Sequence, residues 1–380
     1  MLFKKIPGHE LLKARLIKNV RTGKMAHARL FLGPEGSGSL ALALAYSQYI
    51  LCQDPSETDS CGVCSACLKN QKLIHPDLHF SFPFVGGKKD DHANLYIKQW
   101  RKALIENPFL SLEAWIRELS VENKQLNISI HECHEIHAKL SMKPFEGSFQ
   151  ILIMWLPEFL GKEGNSLLKL IEEPGKQTLL IFVAENTDAV LGTILSRTQL
   201  VKINAFDDKE ISSFLINQYN LSITEAGSLA FLSEGNLGMA IDLVTLQKED
   251  FGPSFTTWIA LCQQGNLSKI VSWVEQISRS GKEGPGREAR KGLLHYGLKM
   301  IREALLLSEG AESLLRSFHE NKESTHWFRY INASNANFII QDLDQAIYHI
   351  ERNANPKILF LDVSLRLHEF LNMPLRVQNT

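Results

Sequence analysis

The sequence carries almost no excess of charge of either sign: 41 Lys and Arg against 42 Asp and Glu leave a formal net charge of -1 over 380 residues. It therefore lacks the global basic field with which a solitary nucleic-acid binder gathers phosphates, and any such contact must be local or shared with partners. Long hydrophobic runs are missing too. No segment approaches the roughly 18 uninterrupted apolar residues that read as a membrane span, and the basic opening MLFKKIPGHELLKARL has no apolar core of signal-peptide length. A soluble, cytoplasmic protein is expected. Cysteine is scarce, six residues in all, too few for a disulfide scaffold in a chain this long. Internal repeats and long low-complexity tracts are absent. The length excludes a single compact core and predicts two or three domains.

What is present is an alternation of short apolar runs with helical patterns. The run RLFL at 29–32 reads as a buried strand leading into glycines at 33, 36 and 38, then a helix through Leu42, Ala45 and Ile50. Further strands are predicted at 77–82, 149–154, 179–183 and 199–203, with helices at 161–172 and near 188–195. Continuous apolar strands alternating with helices imply a parallel sheet covered on both faces. A segment at 84–125 reads as an inserted helical pair, with Ile97, Trp100 and Leu104 on one face and Leu112, Trp115, Ile116 and Leu119 on another. Beyond Ala205 the strand signal fades. Residues 206–247 read as a small helical unit, and the rest is helical, as in Leu294, Leu298, Ile301 and Leu305, interrupted by a glycine-rich loop at 279–287.

The glycines at 33–40 nearly complete a phosphate loop, G-x-x-x-x-G-K-[ST], whose amides cradle phosphates while its lysine reaches the β and γ groups and its hydroxyl holds magnesium. Gly33, Gly36 and Gly38 are in place, but Ser39 stands where the lysine belongs and Leu40 where the hydroxyl belongs. The cradle could survive such changes; the charged chemistry could not. A second motif of such ATPases, an aspartate ending an apolar strand, is replaced by Trp155, and one displaced carboxylate at Glu158 cannot both coordinate a metal and polarise water. The alternative is a glycine-rich turn with no nucleotide role.

Four of the six cysteines, Cys52, Cys61, Cys64 and Cys67, are spaced C-x8-C-x2-C-x2-C. Four thiolates with two short chelate spacings are what tetrahedral zinc favours, and four sulfur ligands make a closed, structural site. An iron–sulfur cluster or unligated thiols are the alternatives.

These cysteines, placed after the phosphate-loop helix, occur with NSLLKLIEEP (165–174), GTILSRTQ (192–199), HARLFLGP (27–34), Gly8-His9 and HPD (75–77). In this the chain resembles the bacterial DNA polymerase III clamp-loader subunits, which are AAA+ proteins; the loop without its lysine is similar to the delta prime branch rather than to the gamma/tau motor branch. The likeness is dense over 1–205, weaker through 206–247, and thin beyond, where only IERNANPKILF (350–360) matches.

The resemblance implies an α/β AAA+ domain at 1–205, with a RecA-like parallel sheet, a helical lid at 206–247 and an all-α collar domain at 248–380. It implies zinc as a structural cofactor and no ATP hydrolysis by this chain. The implied partners are gamma/tau and delta subunits, with the sliding clamp and primer–template DNA engaged through the complex. Ser196-Arg197-Thr198 corresponds to the family's Ser-Arg-Cys motif, whose arginine is a finger presented to the ATP of a neighbouring subunit. Guanidinium is permanently charged and can spread across phosphate oxygens as the γ group leaves. A merely local arginine, pairing with a surface carboxylate or capping a helix end, is the alternative. In the lid, Met239 replaces the nucleotide-sensing arginine of the Gly-x-x-Gly-Arg-Ala pattern.

Other features read as structural. His131, His134 and His137 have no zinc-protease spacing and suit a solvated helix face; Glu172 and Glu173 read as helix-end surface charge, and Trp100 and Trp115 as packing residues of the insertion. A gamma/tau-like ATPase with an atypical loop and a zinc-containing DNA-binding module are the competing functions.

Overall fold

The computed structural model describes the whole chain except residues 87–90, 120–124, 247–250, 280–285, 312–321, 353 and 374–380. The expected loop at 279–287 thus lies largely outside the described residues. Two compact units are present: one takes residues 1–220 and 233–241, the other 221–232 and 242–380.

The first unit opens with helix α1 (Glu10–Arg21), strand β1 (Ala28–Leu32), α2 (Ser39–Leu51), α3 (Ser65–Gln71) and β2 (Leu78–Ser81). The insertion follows with β3 (Phe84–Val85), α4 (Ile97–Glu106), α5 (Leu112–Glu118) and β4 (Leu126–Asn127). Then come α6 (Ile130–Leu140), β5 (Gln150–Trp155), α7 (Leu168–Glu172), β6 (Thr178–Ala184), α8 (Gly192–Leu195), β7 (Gln199–Lys202) and α9 (Asp208–Tyr219). Five strands form a parallel sheet in the order β2-β5-β6-β1-β7, while β3 and β4 pair antiparallel. This is the parallel sheet expected from the alternation of apolar strands with helices. Every residue of β5 and β6 is buried, as strands covered on both faces must be. All thirteen residues of α2 are buried as well, which explains why its sequence is apolar all round.

The expected helix at 161–172 is α-helical only over Leu168–Glu172; residues Pro157–Leu167 form 3-10 turns with Leu156 left-handed and Gly161 outside helical geometry. Pro157, Gly161 and Gly164 are weak helix formers, and a Cβ at Gly164 would press on Leu191, so a tight irregular wrap replaces the regular helix. The helix expected near 188–195 is likewise split into a 3-10 turn at Thr187–Ala189 and the short α8 by the extended Val190.

The inserted helices pack as predicted. Trp100 and Trp115 are both fully buried, Phe82 stacks on Trp100 at 4.2 Å, and Trp155 joins the same group with its ring 5.3 Å from Trp100. Trp155, at the end of β5, is thus part of an aromatic core.

Helices α10 (Ile223–Ser233) and α11 (Leu237–Leu246) complete the 206–247 region, whose helices are shared between the two units. The second unit adds α12 (Phe251–Gln264), α13 (Leu267–Ser278), α14 (Arg287–Ser308), α15 (Ala336–Glu351) and α16 (Pro356–Leu371). Its core stacks Trp258 on Trp273 at 5.0 Å, and the Trp258 indole N–H donates to Ser364 at 2.8 Å, so that buried polar group is satisfied. Among the described residues no helix is long and apolar enough to cross a membrane.

Candidate functional site

The glycine loop at 33–40 has the backbone of a cradle. Gly36 and Gly38 take left-handed φ values of 71° and 84°, which glycine adopts without strain, and Gly38 leads into α2. The side chains that follow turn inward: Ser37 and Ser39 are buried and hydrogen-bonded to each other at 2.9 Å, so position 39 projects no polar group outward. His9, itself left-handed, reaches across to the Ser37 carbonyl at 2.9 Å.

The space above the loop is filled. Asn236 caps α11 by accepting the Met239 N–H at 2.8 Å and donates from Nδ2 to Glu35 at 3.0 Å, while the Leu237 N–H donates to the Gly36 carbonyl at 3.1 Å. A Cβ at Gly36 would collide with Asn236, one at Gly38 would touch Phe206, and one at Gly238 would strike the Phe109 carbonyl. What is left between the loop, Pro108–Leu110, Trp155 and Glu185 is a cavity of about 20 Å³. Ligand pockets run to roughly 300–1,000 Å³. This space accommodates about one water.

Its electrostatics oppose phosphate. Glu35, Glu158 and Glu185 lie together; burial first, then the carboxylates of Glu35 and Glu158, push Glu185 up to about 8. Glu158 Oε1 accepts the N–H groups of Glu185 at 2.7 Å and Asn186 at 3.0 Å.

The four cysteines converge as their spacing predicts. All four sulfurs lie within 4.8 Å of one another, with Cys52 to Cys61 at 3.6 Å and Cys61 to Cys67 at 3.9 Å. Four sulfurs about 2.3 Å from a central zinc would be about 3.8 Å apart. Backbone N–H groups of Cys61, Cys64 and Cys67 point at the sulfurs of Cys52, Cys61 and Cys64 at 3.3–3.4 Å, orienting them inward. Burial raises the Cys52 and Cys67 thiols, whereas the Val63 and Cys64 amides bring Cys61 down to about 6. Four sulfurs this close could ionise together only around a cation, and the donor set fits a soft tetrahedral one. The module is tied down by Asp59, which accepts the N–H groups of Phe3 and Lys4 at 3.1 and 3.0 Å.

Arg197 stands apart from both features, just after α8. Its Nε donates to Glu172 at 2.5 Å and its Nη1 to the Thr193 carbonyl and Ser196 Oγ, each at 3.1 Å. The side chain is 36% exposed. Of the histidines set aside on α6, His137 is held by the Ser166 carbonyl at 2.9 Å, and the four cysteines are the one metal-capable cluster among the described residues. Sequence reasoning missed Asn236, Phe109, Phe206 and Glu185 as closers of the loop and Glu172 as the partner of Arg197. Gly235 and Gly238 flanking Asn236 were the available signal, since glycines mark places where backbones approach closely.

Comparison with known proteins places this site in context. A model of the family described as DNA polymerase III, delta subunit, matches residues 8–207, from just before α1 through the last strand. The chain belongs to that family. Among relatives of the delta subunit family, it is 27% identical over 228 residues to DNA polymerase III subunit delta' of Bacillus subtilis, covering 60% of this chain and 56% of that one. It is 24% identical to the subunit delta' of Escherichia coli over 78% of this chain and 75% of that one. A DNA polymerase III subunit gamma/tau from Mycobacterium bovis is 23% identical over 52% of this chain and 27% of its own length.

Proposed function

We propose that this chain is a non-hydrolysing, delta prime-type subunit of a DNA polymerase III clamp loader, acting as a stator that completes a neighbouring subunit's ATP site with Arg197. The observation that carries this reading is the contrast between a glycine loop that Pro108–Leu110, Trp155 and Glu185 leave only about 20 Å³ beside and an arginine left 36% exposed on the same unit. Loss is confined to groups that would serve the chain's own nucleotide: Ser39, Leu40, Trp155 and Met239. Ser196 bonds Arg197 and helps set its side chain.

The partners in this reading are gamma/tau and delta subunits, with the sliding clamp and primer–template DNA met through the assembly. A net charge of -1 suits shared rather than solitary DNA contact. Cys52, Cys61, Cys64 and Cys67 hold a structural zinc in this account, which supplies folding free energy and no chemistry. The lid at 206–247 secures the loop, and the helices from 248 onward serve as the oligomerising collar.

The competing reading, a gamma/tau-like ATPase with an unusual loop, requires room for a nucleotide. Calorimetric titration of the isolated protein with magnesium-ATP distinguishes the two. No binding below millimolar ATP is expected, and none should be restored by Ser39→Lys with Leu40→Thr, because Pro108–Leu110, Trp155 and Glu185 still fill the space beside the loop. Micromolar binding with turnover by the natural chain would contradict the proposal.

A further inference from the structure

Arg197 is held, and the manner of holding is specific. Its guanidinium has two described anchors on the chain, Nε on the carboxylate of Glu172 and Nη1 on the Thr193 carbonyl and Ser196 Oγ. Glu172 is the last residue of α7, where Pro174 prevents continuation, and its neighbour Ile171 is fully buried. Arg197 follows α8, whose Ile194 is fully buried in the same core cluster as Ile171, and the Arg197 N–H donates to the Ile194 carbonyl at 3.1 Å. Both members of the pair therefore rise from backbones fixed by one hydrophobic core.

We propose that Glu172 is a positioning residue for Arg197, holding Nε so that the Nη2 edge of the guanidinium is presented to a neighbouring subunit's nucleotide. The inference rests on reading Arg197 as trans-acting. Guanidinium is planar, so bonds at Nε and Nη1 fix its plane and leave the two N–H donors of Nη2 to a phosphate. Glu172 bonds at Nε alone and does not take the two-pronged hold on both terminal nitrogens that would compete with phosphate. With side chains 36% and 49% exposed, the pair contributes little to folding; its effect is to restrict the rotamers of a long side chain. A group that stabilises developing charge acts best when already oriented.

The test uses the full chain reconstituted with its ATPase partners, measuring hydrolysis across ATP concentrations for Glu172→Ala, Glu172→Gln, Arg197→Ala and the Glu172→Ala/Arg197→Ala double variant. Glu172→Ala should lower kcat about 3- to 10-fold with KM for ATP little changed. Glu172→Gln, which keeps an acceptor oxygen in place, should retain most of the rate. In the Arg197→Ala background, removing Glu172 should cost nothing further, because the two residues act as one unit. If Glu172→Ala speeds hydrolysis, leaves kcat unchanged, or adds its full effect to that of Arg197→Ala, the positioning role is overturned while the arginine's own role stands. If Arg197→Ala itself leaves kcat unchanged, the trans-acting reading falls and this inference with it.

Discussion

Glu185 sits where an active phosphate loop would gather positive charge, and it faces two further carboxylates, Glu35 and Glu158. An acid raised from its ordinary 4.5 to about 8 keeps its proton in the folded chain after the unfolded chain has released it. The contribution of this one group to stability is therefore greatest below about pH 4.5 and declines as the pH climbs towards 8. Glu185→Gln should remove that decline: the variant should be more stable than the natural chain at pH 8.5, by on the order of a few kcal/mol, with the difference fading near pH 4.5. Equal melting across that range would show that no proton is held there. At this scale the sequence could only name positions where chemistry is tied to one residue type, as at Ser39, Trp155, Met239 and Arg197. It was silent on Asn236 and Glu172, whose roles depend on partners 201 and 25 residues away.

At the scale of elements, the strands were legible because a doubly covered parallel sheet leaves continuous apolar runs, as in β5 and β6. The wrap from Pro157 to Leu167 was not, since its apolar spacing resembles a helix while Gly161 and Gly164 decide otherwise. The cysteine module was the most legible of all, because two C-x2-C steps bring sulfurs together locally. It folds between α2 and α3 with little regular structure beyond α3 itself, so a bound metal should contribute much of its order. Replacing Cys61 and Cys64 together by serine should abolish a stoichiometric zinc signal in elemental analysis. It should also lower the melting temperature, reflecting a loss on the order of several kcal/mol. A variant that melts as the natural chain does would exclude a structural metal.

For the whole molecule, the account joins a closed phosphate loop, a metal-capable module and an outward arginine in one unit, followed by a largely helical second unit. The division into units was only partly legible: helical periodicity marked residues beyond 205 as a different region, but it could not reveal that the compact units share the helices between 206 and 247. Boundaries of that kind are set by packing rather than by local pattern. The central claim is that the chain has given up its own nucleotide while keeping a group that serves its neighbour's. The most direct measurement is single-turnover ATP hydrolysis by the reconstituted assembly carrying Arg197→Ala, with assembly checked by gel filtration. The predicted result is an intact complex in which hydrolysis at the site this chain completes slows by about 10²-fold or more; an intact complex hydrolysing ATP at the unaltered rate would contradict it.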